Sequence, residues 1–291
     1  MSAAFRPNWW ARAGWVALAV YVVYAASRLE FTWARFVAGL DNGARFLGRM
    51  FPPVVAQPDT LVSGLVESLE IAILASFLGI VLALPVGLAA ARNLMPAWAT
   101  WPARALIALC RSFHPVIVAI VFVKAVGFGA LAGILALTVA SIGFIGKLFA
   151  EAIEEISQKQ VEAVRATGAP FVSVIAYGVL PQVLSRFVGF ATYQLDSNLR
   201  NSTMVGIVGA GGIGGTLFAA FQRFDYDFVC AILIAIIAMI MVGEVLARWV
   251  RGVFLERRPG RPDGFDRGDP RRPGGPGRPA VPALPSEKVD D

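Results

Sequence analysis

Asp196 and Arg200 are the residues whose types and spacing most directly suggest chemistry in this sequence. They lie four apart in a long, mainly apolar run that begins near Val183, acid first, which is the favourable order for an ion pair on a helix. At about 1.5 Å per residue they sit roughly 20–26 Å along that run. A mid-membrane arginine costs about 2.5–3.5 kcal/mol on insertion scales, so it usually faces a bundle interior or a cavity. Two readings stay open. Either the pair only fixes helix packing, or Arg200 joins Asn198, Ser202 and Thr203 in offering donors to a passing anion. Arg111 stands about 10 Å into another apolar run and can snorkel to the interface, or serve the same path. His114 precedes Pro115, whose missing N–H kinks a helix, so a structural role competes there with a place on the path.

A glycine run follows. Gly209-Ala210-Gly211-Gly212-Ile213-Gly214 satisfies the dinucleotide fingerprint G-x-G-x-x-G. That pattern has its phosphate-binding meaning only between a strand and a helix of a βαβ unit, and no such unit is legible here. Close backbone approach is the better reading, because small residues let helices pack tightly in lipid. Irregular backbone at membrane depth also needs protein or a water-filled path to cover it. Gly209, Gly211, Gly212 and Gly214 are therefore expected to form a bend near the outer mouth of a path.

Composition says what must position these residues. Of 291 residues, 57% are apolar and only 16% charged, more apolar side chain than one soluble core of this length can bury. The chain reads as polytopic in a bilayer. Two cysteines, Cys110 and Cys230, both in apolar stretches, exclude a disulfide scaffold, and a single histidine excludes a His-cluster metal site. No metal and no cofactor are expected. The net charge of +6 is explained by basic cytoplasmic loops, without nucleic acid.

Six spans are expected. The first, 13–26, follows Arg6 and Arg12 and resembles a signal peptide, but it lacks a good small-x-small cleavage site and reads as an uncleaved anchor within 1–27. Residues 28–62 interleave aromatic and aliphatic side chains with Arg28, Arg35, Arg45 and Arg49, as in an amphipathic interfacial segment, with Pro52, Pro53 and Pro58 breaking any helix. Further spans are expected at about 63–91, 105–126, 127–149, from 183, and 228–250. The Pro- and Gly-rich tail, 256–291, has a disordered composition. The arginine and lysine distribution favours an N-in, C-in orientation, with the four arginines of 28–62 counting against it.

Residues 151–181 form the longest polar insert of the hydrophobic region. Glu162 to Thr167 reads as a short helix capped by Gly168, since glycine accepts positive φ. Pro170 suits the first turn of the next helix, and Pro181 the start of the following span. Glu162-Ala163 with Gly168, then Leu180-Pro181, resembles the cytoplasmic loop motif of ABC importer permeases. Arg165-Ala166-Thr167-Gly168-Ala169, Tyr177-Gly178-Val179-Leu180-Pro181-Gln182 and Gly146-Lys147-Leu148-Phe149 are similar to the phosphonate-type branch. So are Asn198-x-Arg200-x-Ser202-Thr203 and the glycine run after it. Departures are Val164, where a second alanine is usual, and His114-Pro115-Val116.

This resemblance covers about residues 63–250. It implies an all-α polytopic membrane protein with about six transmembrane helices, on a methionine-importer-like ABC permease core, within 63–255. It further implies a homodimer in the bacterial inner membrane, two ABC ATPase subunits docked on the loop through Glu162, Ala163, Gly168, Leu180 and Pro181, and an extracytoplasmic binding protein. The solute would be a phosphonate or a related phosphorus oxyanion. No Walker A sequence exists in the chain, so any ATP hydrolysis belongs to a partner and the chain is not itself an enzyme. The alternatives are a secondary transporter, which would show internal repeats not visible here, and an ABC permease for another small solute such as an amino acid.

Overall fold

The computed structural model describes residues 9–29 and 32–255. Among them every regular element is helical: α1 (Trp9–Arg28), α2 (Trp33–Met50), α3 (Pro58–Ala90), α4 (Ala97–Ser112), α5 (Pro115–Val126) and α6 (Ala130–Glu154). Then come α7 (Gln158–Ala166), the one-turn α8 (Phe171–Ser173), a π-helical segment (Val174–Val179), α9 (Leu180–Ile207), α10 (Ile213–Gln222) and α11 (Tyr226–Leu255). Four stretches are long and apolar enough to cross a bilayer: α3, α6, the run Phe171–Ile207 and most of α11. Two bent helix pairs bring the number to six if each counts as one span. The tail 256–291 lies outside the described residues.

The bundle centres on α3, α6 and α9, and small residues explain why. Gly79 of α3 meets Ser141 of α6 so closely that a Cβ on the glycine would lie 2.3 Å from the serine Cβ; at Gly87 it would lie 2.9 Å from the Gly146 carbonyl oxygen. These contacts advance together along both helices, so α3 and α6 run parallel. Antiparallel α9 completes the trio, with Phe187 edge-on to Phe149 and Tyr193 stacked on Phe144. In lipid, where burial of apolar surface does not drive helices together, such close approach supplies the attraction through van der Waals packing.

Several sequence expectations need correction. The third span is not one helix: α4 and α5 meet at a 92° bend. Pro115 stands at the start of α5, where its missing N–H costs nothing, and the His114 Nδ1 accepts the Val116 N–H at 3.3 Å as an N-cap. Pro58 starts α3 instead of breaking a helix, with Asp59 complementing the dipole. Pro170 is the extended N-cap of α8, one place earlier than expected. The fourth span runs on to Glu154, so the polar insert begins on the helix.

Residues of the 28–62 segment pack at the end opposite the 151–181 loop. Met50 and Leu61 join Ile213, Leu217, Phe228 and Ile232 in one apolar cluster. Phe46 of α2 lies edge-on to Tyr226.

Candidate functional site

The 151–181 loop is built from both sides. Val161 of α7 is fully buried and packs with Phe149, Ile153, Val174, Val179 and Val183. Gly178 faces α7, where a Cβ would meet the Val161 backbone at 3.4 Å, an ordinary packing contact. With its apolar side so occupied, α7 turns Glu162, Ala163 and Arg165 to the exterior. Gly168 ends the turn at φ +75°, exposed and with open space around it, so the left-handed backbone alone requires glycine there. Leu180 and Pro181, both exposed, open α9.

Gln182 holds this corner, a role that its place in the sequence motif did not reveal. Its side-chain amide donates to the Gly178 carbonyl at 2.6 Å, and its Oε1 accepts the Ser157 N–H at 3.0 Å. One side chain thus joins the start of α7, the π segment and the first turn of α9. Arg186 adds an ion pair to Glu155. On the other side, Glu154 Oε1 accepts from the Arg92 N–H at 2.8 Å and from Arg104 at 2.6 Å. A polar residue one place after Leu-Pro was the only available signal for Gln182; its two partners depend on the folded corner.

This corner should transmit motion stiffly. Gln182→Leu removes two hydrogen bonds of about 1 kcal/mol each, which together amount to roughly a thirtyfold bias against the docked geometry. Uptake is expected to fall several-fold while ATPase activity of the assembled transporter persists. Gly168→Val forces a β-branched residue into the left-handed region, at about 1–2 kcal/mol or more, and should uncouple in the same way. Normal uptake by both variants, at normal membrane abundance, would refute the transmitting role.

The polar residues of α9 divide between two faces. Asn198 and Ser202 are fully buried. Asn198 Nδ2 donates to the hydroxyls of Ser76 and Ser141, each at 2.9 Å, and its Oδ1 accepts from Gln194 at 3.0 Å. This network joins α3, α6 and α9 and holds the trio together. Gln194 escaped the sequence reading, although it is as unusual in an apolar run as Asn198. Arg200 points the other way, 45% exposed, with its Nη2 2.8 Å from Asp196 Oδ2. The second carboxylate oxygen of Asp196 and the hydroxyl of Thr203 are buried without hydrogen-bond partners. Arg111 and His114 are exposed at the α4–α5 elbow, and among the described residues no hydrogen bond or ion pair joins them to α9.

The glycine run is a clasp. Gly209, Gly211 and Gly212 have φ of +86°, +82° and +79°. The Gly209 carbonyl accepts the Gly129 N–H at 3.0 Å, and the Ile213 N–H donates to Ser68 Oγ at 2.9 Å. At Gly214 a Cβ would lie 1.9 Å from the Thr203 carbonyl oxygen. The chain thus doubles back from α9 into α10 against α3 and α6. Among the described residues no strand precedes the run, so the nucleotide fingerprint has no phosphate-binding context.

An all-helical membrane bundle with a short helix and glycine cap on an interrupted loop defines the class: the permease subunit of an ABC importer. The chain belongs to the family of binding-protein-dependent transport system inner membrane components, which it matches over residues 83–258. It is 38% identical to a phosphite transport system permease protein, PtxC, of Stutzerimonas stutzeri, over 86% of this chain and 92% of that one. It is 40% identical to a phosphate-import permease protein, PhnE, of Mycolicibacterium smegmatis over 76% of this chain, a match spanning only 41% of that relative's length. Among solved structures, an inward-facing MetNI methionine ABC transporter contains a chain 29% identical with a TM-score of 0.58, covering 67% of this chain and 96% of that one. Family membership implies ATPase subunits and a substrate-binding protein as partners, and a place in the inner membrane.

Proposed function

We propose that this chain is the non-catalytic membrane subunit of an ATP-driven importer for a phosphorus oxyanion, whether phosphonate, phosphite or phosphate. The observation that carries the solute class is the likeness to a phosphite permease over 92% of that protein's length. Two ATPase subunits dock on a homodimer of the permease through Glu162, Ala163, Gly168, Leu180 and Pro181. A phosphonate-type binding protein delivers the solute from outside. Residues 1–27 anchor the chain, 28–62 lie in the outer interface, 63–255 form the permease, and 256–291 is a cytoplasmic tail.

On the path, Arg200 supplies the charged donor and Asp196 tempers it, with Thr203 on the same side of α9. Asn198 and Ser202 hold that helix in place from its buried side. Arg111 and His114 contribute at the α4–α5 elbow, and Gly209, Gly211, Gly212 and Gly214 shape the outer bend. Purified permease should carry an ATPase subunit with it, and the assembled system should take up labelled phosphite or phosphonate in a manner blocked by excess phosphorus oxyanion and not by methionine. Uptake blocked by methionine alone would refute the oxyanion assignment.

Orientation has its own test. A cysteine replacing Ser157 should resist a membrane-impermeant thiol reagent in intact cells, whereas one replacing Asp225 should react. The reverse pattern would invert the N-in, C-in orientation and remove the loop from the ATPase side.

A further inference from the structure

We infer that a basic cavity between α4 and α6 binds a phosphoryl group at the membrane end that carries the 151–181 loop. The two helices cross antiparallel: Arg104 meets Glu154, Ile107 lies on Gly146, and Arg111 lies on Gly143. Beside this seam opens a cavity of about 200 Å³ whose lining includes Arg104, Arg111, Lys147 and Glu151. Three cations from two helices thus converge on one space.

Their carboxylates do not balance them. Glu154 takes Arg104, and Glu151 stands 3.4 Å from Lys147, but Arg111 has no carboxylate partner among the described residues. Its position is nonetheless set. The stem of Arg111 rests in the notch left by Gly143, where a Cβ would lie 2.8 Å from Arg111 Cγ. A guanidinium held by its stem, with its planar fork unused and a lysine on the facing helix, matches a phosphoryl oxyanion, which accepts two parallel N–H bonds. With Arg104 and Lys147 paired, the cavity carries one uncompensated positive charge, that of Arg111. A bound anion would supply the partner that Arg111 lacks.

The depth fits as well. Trp98 and Trp101, in the first turns of α4, are 79% and 80% exposed, as expected of aromatic anchors at headgroup level. Basic pockets between membrane helices on the cytoplasmic side suit phosphate-bearing headgroups, and a free phosphate ion presents the same oxygens. Arg111 is shared with the proposed path, but binding in this cavity needs neither ATP nor a binding protein and is measured without transport.

The full chain in nanodiscs tests it in two arms. In mixed phosphatidylcholine–phosphatidylglycerol discs, native mass spectrometry counts the phosphatidylglycerol retained by the released protein. In pure phosphatidylcholine discs, equilibrium binding of radiolabelled orthophosphate is measured. Arg111→Gln/Lys147→Gln removes two of the cations. Ala108→Asp, on the lining of the same cavity, adds a carboxylate and leaves the cations in place, so it serves if the double variant folds poorly. Lys159→Gln, on α7, is the control. Roughly tenfold or greater loss of retained phosphatidylglycerol in the cavity variants, with the control unchanged, assigns the site to a lipid headgroup. Saturable orthophosphate binding lost in the same variants assigns it to a free oxyanion. Binding equal in wild type and cavity variants in both arms, or absent from wild type in both, overturns the inference.

Discussion

Gly214→Ala is expected to remove nearly all folded protein. The added Cβ would lie 1.9 Å from the Thr203 carbonyl oxygen and 2.9 Å from the Ile207 nitrogen. Both are backbone atoms, so no side chain can swing aside. Relief requires α9 and α10 to separate at the point where Gly206 also faces the Gly214 backbone. Overpacking of tight interiors costs about 1–3 kcal/mol, and a backbone collision belongs at or beyond the upper end. Monodisperse protein recovered in mild detergent should fall more than tenfold, since about 1.4 kcal/mol is already a factor of ten. Gly189→Ala is the control: it lies within α9 with open space around it, and alanine is the better helix former by about 1 kcal/mol. Equal yields of the two variants would show that the clasp is looser than described.

Arg200→Ala should depress uptake at least tenfold while ATPase subunits still copurify. A phosphorus oxyanion cannot enter hydrocarbon unaided, because desolvating an isolated charge costs tens of kcal/mol on Born estimates. A path must offer donors without holding the ion tightly, because a trapped ion does not leave. The Arg200–Asp196 pair suits that requirement. The Arg200 side chain is nearly half exposed, and the 2.8 Å contact to Asp196 weakens its pull on a passing anion. Asp196→Asn should reduce uptake less than Arg200→Ala, or slow release by freeing the arginine. A purely structural pair behaves differently: both single changes lower yield together, because one oxygen of Asp196 is buried without a partner and depends on the arginine for compensation. Recovery of both yield and uptake in Asp196→Asn/Arg200→Gln would eliminate the anion-path role.

Local chemistry carried much of this protein in its sequence. The apolar runs separated by basic loops specify a polytopic helical bundle, because hydrocarbon leaves the backbone no partner but its own helix. Gly168 was legible as a cap, since only glycine takes positive φ without a Cβ clash, and its φ is +75°. The Asp196–Arg200 pair followed from a spacing of four on one helix. Each of these depends on a few neighbouring residues and nothing else.

Contacts between distant segments depended on which helices face each other, and periodicity does not encode that. Asn198 lies two residues from both Asp196 and Arg200, so it must sit on the opposite side of α9. Only the tertiary structure makes that side the inside, by setting Ser76 and Ser141 against it. The 92° elbow at His114 was readable only as a kink, because proline removes a hydrogen bond but does not say how far the two halves turn. Gln182 bridges Ser157 and Gly178 because the chain folds back on itself and leaves backbone groups that only this amide reaches. Arg104, Arg111 and Lys147 line one cavity because Gly143 lets α4 settle onto α6. The sequence determined which residues are costly in a membrane; the tertiary structure decided what each of them meets, since that cost is offset only by partners that packing brings within reach.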